Sequence, residues 1–287
     1  MKIVLSGYSG LIGSAAERVL KANGYEVFRL TRSDLYEHEG TAAKRLLEGA
    51  HAVVHLAGAP ILKRWTEKNR KAMYDSRIIT TRNLVNAIKS LPAPARPKIF
   101  ISASAIGIYE AGLTHTESST CYAGHFAAQL TREWEASSEG LPKGVRRLIF
   151  RVGLVIDRNA TLVRMLKLPF RLYAGGPVGN GRQPFPFIHL DDVTGAILWG
   201  IRNHEAQGIY NLTAPEQISN KDFSAAFGKS LNRPSWFPVP VWILKILYGK
   251  ASRLIFESPA VLPERLQNEG YRFRYPDIRS ALGALFG

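Results

Sequence analysis

Along the first 160 residues, short runs of branched and aliphatic side chains alternate with stretches whose apolar residues recur every three or four places. "KIVLSG" (2–7), "YEVFRLTR" (25–32), "AHAVVHLAGAP" (50–60), "PKIFISASAIG" (97–107) and "VRRLIFRVGLVI" (145–156) read as strands. Several are apolar at successive positions, which suits strands buried on both faces of a parallel sheet. "LIGSAAERVLKANG" (11–24) carries helical spacing and ends at Gly24, a C-cap. Residues 65–91 predict one long helix or two abutting ones, and 125–139 another. The alternation predicts an α/β chain with a Rossmann-type, doubly wound parallel sheet.

Beyond about residue 160 the pattern changes. "YAGGPVGNGRQPFP" (173–186) is a glycine- and proline-rich loop that reads as a mobile lid. "FIHLDDVTGAILWGI" (187–201) predicts a strand edge running into a helix, with Asp191 or Asp192 near its cap. "GIYNLTAP" (208–215) is a strand, "SNKDFSAAFGKSL" (219–231) a capped helix, and 232–263 a proline-rich set of short helices and turns. The expected division is a nucleotide-binding sheet domain over 1–160 and a smaller C-terminal substrate lobe over 161–287, interleaved with the last strands of the main sheet.

A chain of 287 residues with 46% apolar and 21% charged residues has the composition of a soluble protein. "VWILKILYG" (241–249) is too short to span a bilayer and contains Lys245. The N-terminus could pass for a signal peptide, but its glycines break the apolar run and it reads better as strand, turn and helix. Cys121 is the single cysteine, which excludes internal disulfides and cysteine-cluster metal sites and points to a reducing, cytoplasmic setting. No metal-ligand spacing appears. The net charge of +15 favours anionic ligands. The cations are scattered and no nucleic-acid motif is present, so solvated surface plus a cofactor-phosphate site is the expectation. Nucleic acid stays open as a partner on charge alone.

"GYSGLIG" places Gly7, Gly10 and Gly13 directly after a strand and at the start of a helix. Gly7 allows the tight turn, Gly10 lets main-chain N–H groups approach a pyrophosphate, and Gly13 lets the helix pack closely. Ser9, Leu11 and Ile12 complete this loop, and the helix N-terminus favours phosphate. The second strand ends in Thr31 and Arg32 rather than in the acidic residue that NAD requires. A guanidinium suits the 2′-phosphate of NADP(H), which is the expected cofactor.

"GYSGLIG", "VVHLAGAPI", "KRWTEKNRKAMYDSRIITTRNLV", "FISASAIGIY", "REWE", "FRVGLVI", "GGPVGNGRQPFPFIHLDD" and "LPERLQNEGYRFRYPDI" follow in order. Together they resemble the atypical extended short-chain dehydrogenase/reductase family, its epimerase-like, YfcH-type branch within the NAD-dependent epimerase/dehydratase superfamily. The resemblance implies an extended short-chain fold, NADP(H) binding and a variable substrate lobe. It implies that Ser104, at the end of "FISASA", aids catalysis, with Ser102 on the same face of the strand. Leu56, Ala57, Gly58 and Ser102 are expected along the cofactor, and Arg151, at a strand end on the same edge, is expected to contact the cofactor or an adjacent carboxylate.

The same resemblance leads one to expect Tyr-x-x-x-Lys in the helix around 125–135, where "HFAAQLTREWE" has neither residue. The tyrosine position falls at Phe126 or Ala127 and the lysine position at Leu130 or Thr131. Tyr109 and His125 are the substitute acid–base candidates, with Tyr122 beside them. Arg64, Arg182 and His189 are candidates for gripping a small polar or sugar-nucleotide-like substrate. Two functions follow as expectations: an NADP(H)-dependent oxidoreductase or epimerase with an atypical site, or a non-catalytic NADP(H)-binding regulator. The cell-division-inhibitor label of some relatives would suit the regulator. Substrate, direction and oligomeric state are left open.

Overall fold

All five apolar runs of the first half become strands, and the computed structural model describes them within residues 1–37 and 41–287. In chain order the strands are β1 (Lys2–Ser6), β2 (Glu26–Leu30), β3 (Ala52–His55), β4 (Ile99–Ala105), β5 (Thr114–His115), β6 (Arg146–Val152), β7 (Leu154–Ile156), β8 (Phe187–His189), β9 (Gly208–Leu212) and β10 (Ala260–Val261). Six of them form one sheet in the order β2-β1-β3-β4-β6-β9, parallel throughout. From β1 the chain adds β2 on one side and β3 on the other. The crevice beyond the C-terminal ends of β1 and β3 is therefore the topological switch point, where such sheets bind ligands.

Both faces of this sheet are buried, as its apolar runs require. Ile3, Leu5, Val54, Ile101 and Phe150 pack beneath the helices Leu11–Ala22 and Leu190–Arg202. Val4, Val53 and Phe100 pack on the other face against Leu84 and Ile88 of the helix Thr80–Ser90. A second core lies farther along the chain, where Phe170, Phe187, Phe223, Phe227 and Leu282 meet.

Two expectations are corrected, for 145–156 and 173–186, and of the two alternatives for 65–91 the abutting helices are found. The run 145–156 is two strands, because at Gly153 the chain leaves the main sheet and β7 pairs with β8 instead. A Cβ on Gly153 would lie 2.6 Å from the Pro186 carbonyl oxygen, so the crossing needs glycine. The run 65–91 is a helix, Glu67–Tyr74, joined to the helix Thr80–Ser90 through a π-helical turn at Asp75–Ile79. The loop 173–186 is no lid. Lys221 N–H donates to the Gly181 carbonyl (2.9 Å), Asn220 N–H to the Gln183 carbonyl (2.9 Å) and Phe185 N–H to the Ile218 carbonyl (2.8 Å), so the loop is pinned to the start of the helix Asn220–Ser230.

The paired aspartates of "HLDD" are architectural. Asp192 is buried and accepts the N–H groups of Arg274 (2.7 Å) and Tyr275 (3.0 Å), while Asp191 pairs with Arg274 (3.3 Å). They tie the C-terminal segment to the helix Leu190–Arg202.

Candidate active site

Two cavities meet along the C-terminal edge of the sheet and share Leu56 and Gly58. The first, of about 420 Å³, begins at the glycine turn and runs past Leu30, Arg32, Leu35 and Tyr36. The second, of about 340 Å³, lies under the helix Phe126–Ala136 and is bounded by Ile12, Ile61, Arg77, Ser104 and Trp134.

Main chain shapes the first cavity. Gly7 has φ +71°, and a Cβ on it would lie 2.6 Å from the Leu56 carbonyl carbon. A Cβ on Gly13 would lie 2.1 Å from the Gly7 carbonyl oxygen, so any other residue would push the helix off the turn. Gly10 is the N-cap of that helix and offers no side-chain cap, so the first-turn N–H groups remain available to an anion. Gly7, Ser9, Gly10, Arg32, Leu56, Ala57 and Gly58 all line this cavity, Ile12 the second, and Leu11 a smaller adjoining one.

Arg32 lies over the Tyr36 ring, 5.5 Å from its centroid, and has no carboxylate partner among the described residues. Thr31 does not line the cavity; it caps the short helix Arg32–Tyr36, exchanging hydrogen bonds with Asp34. Asp34 is thereby turned to its own helix, leaving a cation at the strand end. Uncrowded main chain at the turn and a cation lining the groove beyond β2 fit a dinucleotide with a 2′-phosphate.

Side chains shape the second cavity. Ser104 Oγ donates to Glu135 Oε1 (2.5 Å). Glu135 in turn accepts Arg151 Nε (2.8 Å) and Nη2 (2.7 Å), a bidentate pair in which the arginine is 1% exposed. Arg151 Nη1 donates to the Tyr109 hydroxyl (2.7 Å). That hydroxyl also contacts Asn211 Oδ1 (2.9 Å) and the Thr116 carbonyl (3.0 Å). The pair with Glu135 holds the Arg151 guanidinium firmly charged against its burial. Burial pushes the Tyr109 phenol up.

Several expected roles change accordingly. Of the two partners expected for Arg151 the carboxylate is found: the side chain turns inward as the counter-ion of Glu135 and does not line the cofactor cavity. Tyr109 lines the second cavity but is buried, and its hydroxyl is held by Arg151, Asn211 and the Thr116 carbonyl. Ser102 is buried, with its hydroxyl bonded to the Ala103 carbonyl (3.0 Å). His189 is the N-cap of the helix Leu190–Arg202, accepting from Asp191 N–H (3.1 Å) and packed 4.0 Å from Tyr275, away from both cavities. Arg182 is exposed on the pinned loop. Arg64 reaches the Ile246 and Leu247 carbonyls and so caps the end of the helix Val241–Tyr248. His125 lines the second cavity and is the N-cap of Phe126–Ala136, its Nδ1 accepting Ala128 N–H (3.1 Å). Burial, then the charge of Arg253, pushes its pKa down, so it is neutral with its proton on Nε2.

Residues 3–213 match the model of the NAD dependent epimerase/dehydratase family. The chain belongs to that family. Residues 239–285 match a domain of unknown function, DUF1731. The chain is 33% identical over 99% of its length to epimerase family protein SDR39U1 homolog, chloroplastic, of Arabidopsis thaliana, covering 86% of it. It is 32% identical to epimerase family protein SDR39U1 of Mus musculus, with 98% of each chain covered. Its fold matches that of human SDR39U1 isoform 2, crystallised with NADPH, at a TM-score of 0.90 and 30% identity over 99% of each chain.

Within this epimerase-family fold, the helix face that lines the cavity is Ala127, Leu130, Thr131 and Trp134. Of the positions expected for the tyrosine and lysine, Ala127, Leu130 and Thr131 face the cavity, whereas Phe126 packs against Trp65. Thr131 Oγ1 donates to the Ala127 carbonyl (2.8 Å). One further turn along the same face stands Glu135. Its place in the series 127, 131, 135 was the signal that could have marked it.

Arg77 was likewise passed over. It sits in the π-helical turn, donates to the Ala59 carbonyl (2.9 Å) and lies 5.1 Å from the Trp134 ring centroid. It has no carboxylate partner among the described residues. Burial lowers its pKa to about 10, so it stays charged at neutral pH. Such turns often re-aim a side chain at a functional site.

Proposed function

We propose that this chain is an NADP(H)-dependent oxidoreductase or epimerase in which Ser104 and Glu135 replace the tyrosine–lysine relay. The observation that carries the reading is the hydrogen bond from Ser104 to Glu135 inside the cavity wall. The NADPH in the human relative's crystal structure, the glycine turn and the Arg32 guanidinium lining the groove support the cofactor. Bound there, NADP(H) supplies a hydride donor or acceptor at the inner end of the groove.

Ser104 has one proton and gives it to Glu135, so it presents lone pairs to the cavity. It takes the proton of a substrate hydroxyl as its own passes to the Glu135 carboxylate; reduction of a carbonyl runs the same transfer backwards. Arg151 fixes the carboxylate, and Ala127 leaves room where a tyrosine ring would stand. His125 Nε2–H and Arg77 supply the donors, and a cation with no carboxylate partner among the described residues favours a substrate bearing a carboxylate or phosphate. Most of the remaining wall is apolar (Leu56, Ile61, Leu130, Leu254), with Thr131, Ser258 and Glu257, whose carboxylate is paired with Arg253 (2.7 Å), as its polar members, and the space is small, which favours a compact substrate over a full sugar nucleotide. A reducing compartment such as the cytoplasm suits a chain whose single cysteine is exposed.

The test is NADPH oxidation, or NADP⁺ reduction, across a panel of small carboxylated and phosphorylated alcohols and carbonyls. Ser104→Ala and Glu135→Gln should each lower turnover by about 100-fold or more while leaving NADPH affinity unchanged. A second reading, a non-catalytic NADP(H)-binding regulator, draws on the absence of tyrosine and lysine from the helix Phe126–Ala136. Cofactor binding with no turnover on any panel member would favour it.

A further inference from the structure

The helix Val241–Tyr248, "VWILKILY", is apolar nearly all round, yet none of its residues is buried. Trp242, Ile246 and Leu247 are exposed, and Trp236 and Phe237 just before them are exposed too. Beside them, Leu168, Leu172 and Tyr173 project from the end of the helix Thr161–Arg171. These segments form one face. Val239 N–H donates to the Pro177 carbonyl (2.7 Å), the Tyr248 hydroxyl lies 3.8 Å from the Met165 sulfur, and the Arg233 guanidinium lies 4.8 Å from the Tyr173 ring centroid. A cluster of outward tryptophans, leucines and isoleucines of this kind marks an interaction surface.

Its charge says which kind. The stretches 158–190 and 223–256, which supply the face, contain ten lysines and arginines and no aspartate or glutamate, though the chain has 23 acids elsewhere. Arg164, Arg171, Lys245 and Lys250 are exposed around the apolar residues. Two copies of such a face would repel each other with no acid to offset the repulsion. Single-stranded nucleic acid would use the cations and the tryptophans, but leucine and isoleucine offer no ring for a base to stack on. An anionic bilayer uses all three classes: cations at lipid phosphates, tryptophans at the headgroups and aliphatic side chains at the acyl boundary.

We propose that this face docks the protein on an anionic lipid bilayer, with the helix Val241–Tyr248 lying in the interface plane. The helix has eight residues, so it rests on the membrane and does not cross it. Arg64, which holds its carboxyl end, ties the docked helix to the loop bordering the candidate active site.

The experiment is co-sedimentation of the full chain with vesicles of phosphatidylcholine alone and of phosphatidylcholine mixed with phosphatidylglycerol. The chain should sediment with the anionic vesicles, stay in solution with the neutral ones and be released by salt. Trp236→Ser with Trp242→Ser should cut partitioning by about tenfold or more, and Lys245→Glu with Lys250→Glu should also weaken it. Both pairs should leave thermal unfolding unchanged, because the four side chains are exposed. No partitioning onto anionic vesicles, or partitioning that survives the tryptophan changes, overturns the proposal. So does a dimer, seen by analytical ultracentrifugation, that the tryptophan changes dissociate and that anionic vesicles leave intact. Single-stranded RNA binding lost in the same variant, without vesicle binding, assigns the face to RNA and overturns it equally.

Discussion

Around the glycine turn the groove is made of main chain, whereas under the helix Phe126–Ala136 it is made of side chains that hold one another. At the first end, Gly7 and Gly13 remove atoms so that strand, turn and helix close together, and a ligand would meet N–H groups. At the second, Ser104, Glu135, Arg151 and Tyr109 come from three strand or loop segments and one helix and form a single hydrogen-bonded chain. The difference teaches where such a scaffold is free to vary. The main-chain end must satisfy one phosphate geometry, whatever the reaction. The side-chain end has neither tyrosine nor lysine on its helix and presents a serine backed by a buried ion pair.

The sharpest way to break the comparison is at Glu135. Glu135→Ala would leave Arg151, 1% exposed, without its carboxylate, and urea unfolding should show a loss of about 3–5 kcal/mol. Glu135→Leu combined with Arg151→Met should recover most of that loss. If it does not, the network does more than pair charges.

Next in size is an acid dependence set beneath the main-chain end. His55, at the end of β3, is fully buried, with Nδ1 2.6 Å from Ser6 Oγ. Burial lowers its pKa from 6.5 to about 4. Between those values the unfolded chain takes up a proton that folded His55 refuses, so stability rises with pH. Acidification from neutrality to pH 4 should therefore cost up to about 3 kcal/mol from this group. His125 and His189, also lowered by burial, add in the same direction. Unfolding free energies at neutral and acid pH should show a shallower slope for His55→Gln; an unchanged slope would assign the loss elsewhere.

Arg32→Ala should weaken NADPH by about 10–100-fold and leave NADH unaffected, since only the 2′-phosphate is lost as a partner. Calorimetric titration with both nucleotides separates that outcome from general damage to the turn. The smallest effect is expected at Arg64. Arg64→Ala removes the donor to the Ile246 and Leu247 carbonyls and should cost about 1 kcal/mol, visible as faster hydrogen exchange along the helix Val241–Tyr248.

Periodicity and turn chemistry determined much by themselves. Successive apolar residues in 2–7, 50–60 and 97–107 called for strands covered on both faces, and those strands lie at the centre of the sheet. "GYSGLIG" between strand and helix specified the turn, because the constraints at Gly7 and Gly13 come from main chain a few residues away or from the neighbouring strand. The absence of tyrosine and lysine from 125–135 was equally plain in the sequence. Tertiary structure alone decided which side chains meet beside that helix. Glu135 and Arg151 are 16 residues apart, Ser104 and Glu135 31, and Tyr109 and Asn211 102, and a local pattern does not record which distant side chain ends opposite which. For the same reason the sequence could not tell that Arg64 caps a helix or that the glycine-rich loop is bonded down. A charged or polar residue reads alike in sequence whether it faces a ligand or a carbonyl of its own fold, and only packing makes that choice.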